Sequence, residues 1–596
     1  MRLWSVAAAV LTGCSAALAG GGAGGGAGDE IGLITIKGTP TERAAPLAWL
    51  MGTSEPTLHD VTRAIGAAAE EGRGRLVVRL KDAALTTTQV EEIGAALRRA
   101  REKGTRVTVF AEGFDATALL LGASADAAIV QQGGEVSLPG LFMEEMYLAD
   151  TLQWIGLKAD LVQIGDYKGA NEMFVNSQPS KAWDQNINGL LDRLYANLRE
   201  SLKRGRRLSD ERLDAAMKTA WMATADEAIA AGLIDRAVDL PALGEAVAGG
   251  GEAEWVEEPL GVEGELSLGS GNPLMAMTAM MAVLSKDPEH KATEPTIAVL
   301  HIDGAIVDGD SSEGGFLGGE GSVGSRTIRN AIEDIRGQAL IKGVVVRIDS
   351  PGGSAIASEV IWQGLKRLAE TKPVWVSVGS MAASGGYYIA VAGERIYVNP
   401  SSIVGSIGVV GGKISMGGLY ETLKIKVVGR GRGPMAGMFD TSRPWTPDEM
   451  AVVRGKMKQT YDLFASRVAA GRKGIDLSAT AEGRLFAGQD AIDRKMADAI
   501  GGLDDAVNGL AARLNLDEFD VMEFPGPKGI PQLIDEMFGV MSPAARSGGA
   551  GGELAAAARM MLGERTWREL TRSWAALMQL RSEPVVLALP RAIRVR

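Results

Sequence analysis

The chain has 596 residues, enough for about three or four domain-sized units. Its 62 Lys and Arg against 74 Asp and Glu give a net charge of −12, with no basic-aromatic cluster to offset it, which argues against a nucleic-acid partner. The single cysteine, Cys14, excludes an internal disulfide framework and a cysteine metal site.

The chain opens as an export signal. Arg2 precedes an apolar run, Leu3–Leu11, too short for a membrane-spanning helix of about 20 residues. Leu11-Thr12-Gly13-Cys14 resembles a bacterial lipobox, in which Cys14 becomes lipid-modified and N-terminal. Ordinary cleavage after Ala17-Leu18-Ala19 is the competing reading. On either reading the mature protein leaves the cytoplasm. Gly20–Gly28 reads as a flexible tether, so residues 1–28 are set apart as signal segment and tether.

Strand and helix patterns then alternate. Ile31–Lys37 reads as a strand, Leu58–Glu71 as a helix, Leu76–Leu80 as a buried strand, Thr88–Lys103 as a helix and Arg106–Phe110 as a strand. The same order returns in Thr296–Ile302, Ser325–Arg336, Val344–Ile348, Ala355–Ala369 and Val374–Val378. A displacement of 268 positions carries Leu76-Val77-Val78-Arg79-Leu80 onto Val344-Val345-Val346-Arg347-Ile348, and Gly140 onto Gly408. Further on, Trp183 pairs with Trp445, each opening a long amphipathic helix. The chain therefore reads as an α/β tandem duplication, with repeats at 29–247 and 295–512. Between them, 248–294 holds a Gly/Glu-rich linker and the Met-rich stretch Met275–Leu284, which suits packing or a membrane contact. The tail, 513–596, carries Trp567, Leu570, Trp574, Leu577 and Met578 at helical spacing and ends in a short apolar strand and three arginines.

The copies differ where chemistry would sit. Gly379–Tyr388, Gly-Ser-Met-Ala-Ala-Ser-Gly-Gly-Tyr-Tyr, follows a strand and begins with a turn, then small residues that favour a helix. This places Ser384 near a helix N-terminus with backbone N–H groups at hand. A tightly packed helix start is the structural alternative. Ser384 corresponds to Ala116 in the first copy, Ser406 to Leu138, and Asp349-Ser350-Pro351-Gly352-Gly353 to Lys81-Asp82-Ala83-Ala84-Leu85. The first copy carries Gly165-Asp166-Tyr167-Lys168-Gly169 instead.

A nucleophilic serine needs a base. Only His59, His290 and His301 are present, all distant in sequence from Ser384, so a Ser-His-Asp triad remains open only through space. Lys168 has apolar surroundings that would lower its pKa, although a solvated loop lysine is the ordinary case. Gly352-Gly353, after a buried strand, offers either oxyanion donors or a tight strand-to-helix turn. Ser406, in Gly405-Ser406-Ile407-Gly408, is either a turn serine or a partner for the lysine amine.

In combination, Asp349–Ser354, Ala382–Tyr387, Gly405–Gly408 and Tyr167-Lys168-Gly169 in a duplicated chain resemble the signal peptide peptidase A family, peptidase family S49, in its long tandem form. The resemblance spans 29–512. It implies two ClpP/crotonase-like repeats of ββα units with the active site between them. It implies a membrane-associated serine endopeptidase that degrades cleaved signal peptides and other extended apolar peptides. Ser384 would be the nucleophile and Lys168 the general base. Ser406 would orient the lysine, and Gly352 and Gly353 would line the oxyanion hole. The resemblance further implies a homotetramer, and no metal or cofactor is required. With the lipobox, it points to a lipid-anchored, periplasm-facing protein of the cell envelope. Two departures stand out: a lipobox in place of an N-terminal membrane helix, and Gly169 where a serine or similar small residue is expected. The rival readings are a non-catalytic envelope scaffold that binds peptides and a crotonase-like acyl-CoA enzyme, the latter at odds with export.

Overall fold

The computed structural model describes residues 29–44, 56–261, 290–312, 321–527 and 585–588. In the first half, β1 (Asp29–Gly38), α1 (Leu58–Glu70), β2 (Arg75–Ala83), α2 (Thr87–Glu102), β3 (Arg106–Ala111) and β4 (Ala127–Gln131) alternate strand with helix. β5 (Lys158–Ile164), α3 (Lys181–Arg206), β6 (Arg236–Val238) and β7 (Ala253–Glu257) follow. The main sheet runs β6-β4-β3-β2-β1-β7 and is parallel throughout. Leu76, Val77 and Val78 of β2 are all fully buried. An unbroken apolar run of this kind suits a parallel strand covered on both faces.

The second half repeats the plan. β8 (Thr296–Asp303), β9 (Ala305–Val307), β10 (Ser322–Gly324), α4 (Ser325–Gly337), β11 (Ile341–Ser350) and β12 (Gly352–Ser354) lead into α5 (Ala355–Leu368). β13 (Val374–Ala383), α6 (Gly385–Ala390), β14 (Arg395–Val398), β15 (Ile403–Gly405) and β16 (Val409–Ser415) come next. α7 (Pro447–Gly471), β17 (Leu485–Ala487), β18 (Ala499–Ile500), α8 (Leu503–Arg513) and β19 (Asp520–Phe524) complete the repeat. Its sheet places β18-β14-β13-β11-β8-β19 in the same spatial order as the first, with β15 and β17 added beside the end of β13.

Two edge strands fall outside the stretches that the sequence assigns to the repeats. β7 pairs with β1 from what reads as a linker, and β19 pairs with β8 from what reads as a tail. Each is short and mixed in polarity, so composition alone hides it. β13 also runs to Ala383, four residues beyond the expected turn at Gly379. Met381–Ala383 gain a partner in Ile403–Gly405, and pairing overrides weak local propensity. Gly352-Gly353 forms a short strand rather than a tight turn, because neighbours flank it on both sides.

A third sheet joins the halves in the order β10-β9-β12-β20-β16-β5, where β20 is Val585–Ala588. β5 comes from the first repeat and pairs antiparallel with β16 of the second over seven residue pairs, Lys158↔Ser415 to Ile164↔Val409. α3 makes the second connection. Ser180 caps its start by accepting from the Trp183 amide. Trp183, Ile187, Leu190 and Leu194 bury their stripe against Ala383, Ile403, Leu485 and Ala487 of the second repeat. Leu198 and Leu202, further along the same face, enter the core of the first. Each such leucine contributes roughly 1.5–3 kcal/mol of burial.

Among the described residues no helix is long and apolar enough to cross a membrane. Cys14, the Met275–Leu284 stretch and the Trp567–Met578 pattern lie outside the described residues.

Candidate active site between the repeats

Ser384 sits at the junction of β13 and α6 with φ 55° and ψ −112°. Such a backbone costs of order 1–3 kcal/mol in a non-glycine residue and persists only where its surroundings fix it. Here the Ser384 amide donates to Gly405 O at 2.8 Å, and the Tyr388 amide donates to Ser384 O at 2.8 Å. α6 is buried along its whole length, and the Tyr387 hydroxyl donates to Met496 O at 2.9 Å. The strained turn aims the Ser384 side chain out of the strand toward the first repeat.

Lys168 arrives from that repeat, on the loop that follows β5. Its Nζ lies 2.7 Å from Ser384 Oγ, 2.8 Å from Ser406 Oγ and 2.8 Å from Ser406 O. Lys168, Ser384 and Ser406 are all fully buried. Ser406 also has a positive φ, 54°, and its amide donates to Arg484 O at 2.7 Å.

Burial pushes the Lys168 ammonium well below its ordinary value of 10.5, and no charged neighbour counters it. Burial thus favours the neutral amine over the ammonium. A neutral amine has two hydrogens and one lone pair. In that form Ser406 O and Ser406 Oγ can accept its two hydrogens, which leaves the lone pair for the Ser384 hydroxyl. A deprotonated lysine in contact with a serine is an arrangement that can draw off the serine proton.

Sequence reasoning missed three features of the site, and two of them hold the lysine loop. The segment Glu482-Gly483-Arg484 closes over it from the second repeat. The Tyr167 amide donates to Glu482 O at 2.8 Å, and the Arg484 guanidinium stands 3.8 Å from the Tyr167 ring centroid. Gly483, at φ +87°, lies so close that a Cβ there would meet the Lys168 backbone at 2.5 Å. Trp183 presses on Gly169 from the other side. The only signal for either was the paired tryptophans, which marked helix starts and not a contact with the lysine.

Of the two glycines predicted for the oxyanion hole, Gly352 already donates its amide to Ser350 Oγ at 3.1 Å. Gly353 lies against Gly385: a Cβ on residue 385 would meet the Gly353 nitrogen at 3.2 Å. Gly385 is the first residue of α6, so its N–H has no acceptor within the helix. The third of the missed features is this amide, next to the serine itself. None of the three histidines reaches the site. His59 bonds Asp504 at 3.3 Å, His290 sits edge-on to Phe524, and His301 is buried in β8.

The chain matches the family model described as peptidase family S49 at residues 99–248 and again at 366–517, once in each repeat. It is 27% identical over 536 residues to "Protease 4" of Salmonella typhi, covering 86% of this chain and 82% of that protein. It is 27% identical over 423 residues to "Serine protease SPPA, chloroplastic" of Arabidopsis thaliana, covering 70% of this chain and 60% of the plant protein. Among solved structures, a membrane-bound stomatin-specific protease in complex with a substrate peptide aligns with a TM-score of 0.25 at 16% identity, over 41% of this chain and 97% of that one. With a family match in each half, together spanning half of the sequence, the chain belongs to peptidase family S49 and is a serine peptidase of the tandem-repeat form.

Proposed function

We propose that the protein is an endopeptidase working through a Ser384/Lys168 dyad whose two members come from different repeats. The observation that carries this reading is the 2.7 Å contact between Ser384 Oγ and a fully buried Lys168, whose ammonium form burial disfavours. Ser384 Oγ attacks the scissile carbonyl carbon while Lys168 Nζ takes its proton. The oxyanion that forms is met by the backbone amides of Gly353 and Gly385, where one donor is worth roughly 10²–10³ in rate. Gly352 lies beneath them and braces the strand through Ser350. The C–N bond then breaks as Lys168 returns the proton to the leaving amine, giving an acyl-Ser384 ester. Water, deprotonated by Lys168, attacks the ester and releases the acid product and free Ser384. Ser406 holds the amine by two contacts and keeps its lone pair on the serine.

The substrate class follows from the family resemblance: cleaved signal peptides and other extended apolar peptides at the cell envelope. Anchoring through a lipidated Cys14, and assembly as a homotetramer, belong to the same reading. Phe142, Met146, Trp154, Ile155, Val427 and Val428 are exposed apolar side chains, of the kind that a membrane or another subunit would cover.

The test is hydrolysis of an apolar fluorogenic peptide by wild type, Ser384→Ala and Lys168→Ala, all of equal oligomeric size. The reading expects turnover by wild type and background rates from both variants. Near wild-type activity in Lys168→Ala would remove the lysine from the mechanism. Peptide binding without turnover by wild type would favour a scaffold.

A further inference from the structure

β13 does not run evenly to the nucleophile. It pairs with β11 from Val344↔Val374 to Ile348↔Val378, and pairing resumes at Ser350↔Ala382, so Asp349 alone stands opposite Gly379, Ser380 and Met381. On its other side β13 pairs with β14 up to Val378 and with β15 from Met381 onward. The bulge lies where the strand changes neighbours, and Gly379 and Ser380 have a ladder partner on neither side. Side chains take over that work. The Asp349 carboxylate accepts the Met381 amide at 3.1 Å and the Ser380 amide as well. Ser402 Oγ donates to Gly379 O at 2.6 Å. From the first repeat, Thr88 Oγ1 lies 3.0 Å from Ser380 Oγ. A Cβ on Gly379 would press on Asp349 Oδ2 at 3.2 Å and on the Arg347 guanidinium at 3.3 Å. Ala382 and Ala383 then lead directly into Ser384.

The first repeat has no such bulge. β2 and β3 stay in register from Arg75↔Arg106 to Leu80↔Ala111, and β3 ends at Ala111, the counterpart of Gly379. Lys81 stands where the second repeat has Asp349. The copy without a serine nucleophile thus lacks both the bulge and its carboxylate. Burial and the Glu42 carboxylate push the Asp349 acid up to about 6 against the pull of Arg347, so an anion that is costly to form stands where unpaired amides need an acceptor. We propose that Asp349 is a positioning residue for Ser384: its carboxylate holds the Gly379–Met381 bulge, which turns the end of β13 and sets where the serine hydroxyl stands relative to Lys168. This rests on the reading of Ser384 and Lys168 as the catalytic dyad. Asp349 acts through the backbone and touches neither of them. Loosening the bulge misplaces the nucleophile, so kcat falls while KM does not follow.

The experiment compares Asp349→Ala, Asp349→Asn and Ser402→Ala with wild type, all as full chains. Arg347 keeps Glu42 and Glu92 in each of them. Asp349→Ala should lower kcat roughly 10²-fold, the loss that follows a displacement of about 1 Å, with KM within twofold. Asp349→Asn keeps one acceptor oxygen and should recover part of that kcat. Hydrogen exchange read by mass spectrometry should rise at least tenfold at the 379–383 amides in Asp349→Ala and stay as in wild type over 158–164. Ser402→Ala frees the Gly379 carbonyl and should lower kcat in the same manner. It tests the bulge even where Asp349→Ala does not fold. Wild-type kcat in Asp349→Ala or in Ser402→Ala overturns the proposal. So does unaltered protection at 379–383, or a loss that appears in KM alone. Failure of the dyad reading is recognised separately, by absent peptide turnover in wild type. Exchange at 379–383 then still decides whether Asp349 holds the bulge.

Discussion

Trp183 leaves no room for a side chain at residue 169: a Cβ there would come within 2.2 Å of the indole Cδ2 and 2.3 Å of Cε3. The indole is itself immobilised, fully buried and donating Nε1–H to Glu145 Oε1 at 2.8 Å. The departure noted at Gly169, where a serine or similar residue is expected, is thus matched to this chain's own Trp183. The residue next to the lysine is set by the helix that docks the first repeat on the second.

Gly169→Ala therefore forces either the indole or the lysine loop to move. Overpacking of this kind costs typically 1–3 kcal/mol. A lysine displaced by about 1 Å can lose on the order of 10² in rate. The expected outcome is a lower unfolding midpoint together with a kcat reduced at least tenfold, and Trp183→Phe in the same chain restores part of both. Thermal unfolding and peptide kinetics on the single and double variants decide it. Wild-type kinetics in Gly169→Ala would show that the contact does not position Lys168.

The pH dependence follows from Lys168. Catalysis needs the neutral amine, so kcat/KM rises with pH through the folded pKa and then levels. Burial places that limb well below the ordinary lysine value of 10.5. Stability moves in the same direction. In the unfolded chain the lysine takes its proton at the ordinary value, while the folded site refuses it until lower pH. Between the two pKa values the unfolded state binds more protons, so each step of acidification costs stability. Lys168→Met should therefore abolish turnover and raise the unfolding midpoint at pH 7, with the gain shrinking toward pH 10. A lower midpoint at pH 7 would mean that the hydrogen bonds to Ser406 outweigh burial of the amine.

Ser406 offers a test of positioning as distinct from binding. It touches Lys168 through both its hydroxyl and its carbonyl. Ser406→Ala removes only the hydroxyl contact, leaving the carbonyl and the Arg484 bond to the backbone. The expected result is a kcat lower by roughly 10- to 100-fold with KM within twofold, because the base is loosened and the groove is untouched. A change in KM alone would assign Ser406 to substrate binding.

Much of the fold was legible in the sequence, and for a physical reason. Buried parallel strands such as Leu76–Leu80 and Val344–Ile348 must be apolar on both faces, so a duplicated sheet leaves a repeated run in the sequence. Ser384, Lys168 and Ser406 were legible because each stands in a short motif in a copy whose counterpart lacks it. The edge strands Ala253–Glu257 and Asp520–Phe524 were not, since one exposed side lets their composition resemble a linker. Glu482-Gly483-Arg484 was not legible either: its work is done by backbone carbonyls and by the absence of a side chain at Gly483. Close approach through the backbone leaves almost no compositional trace. The β20 pairing was equally hidden, because a four-residue apolar strand says nothing of which neighbours it will take.

The repeats are also tied by charge, and this gives the last prediction. Arg347, the residue aligned with Arg79, is buried in β11. It bonds Glu42 at 2.7 and 3.1 Å, Glu92 at 2.8 Å and Ser377 at 2.9 Å. Glu42 and Glu92 belong to the first repeat and Arg347 to the second. Glu92 additionally accepts from the Asn399 amide group at 2.7 Å and the Leu503 backbone at 3.0 Å, so one carboxylate gathers three elements of the second repeat. Burial raises the Glu92 pKa even beside the guanidinium, which marks the site as costly to ionise without its partner. Removing one member of a buried ion pair typically costs 3–5 kcal/mol, because the remaining charge is stranded. Arg347→Met should therefore lower the unfolding midpoint and reduce peptide turnover together, since Lys168 and Ser384 meet only when the repeats are joined. Arg347→Met combined with Glu92→Gln removes the stranded carboxylate and should recover a substantial part of the stability. Denaturation and turnover measured in parallel on the three chains separate the possibilities. If Arg347→Met lost stability and kept full kcat, the dyad would be held by β5–β16 pairing and α3 alone, and the buried arginine would serve the fold without serving the site.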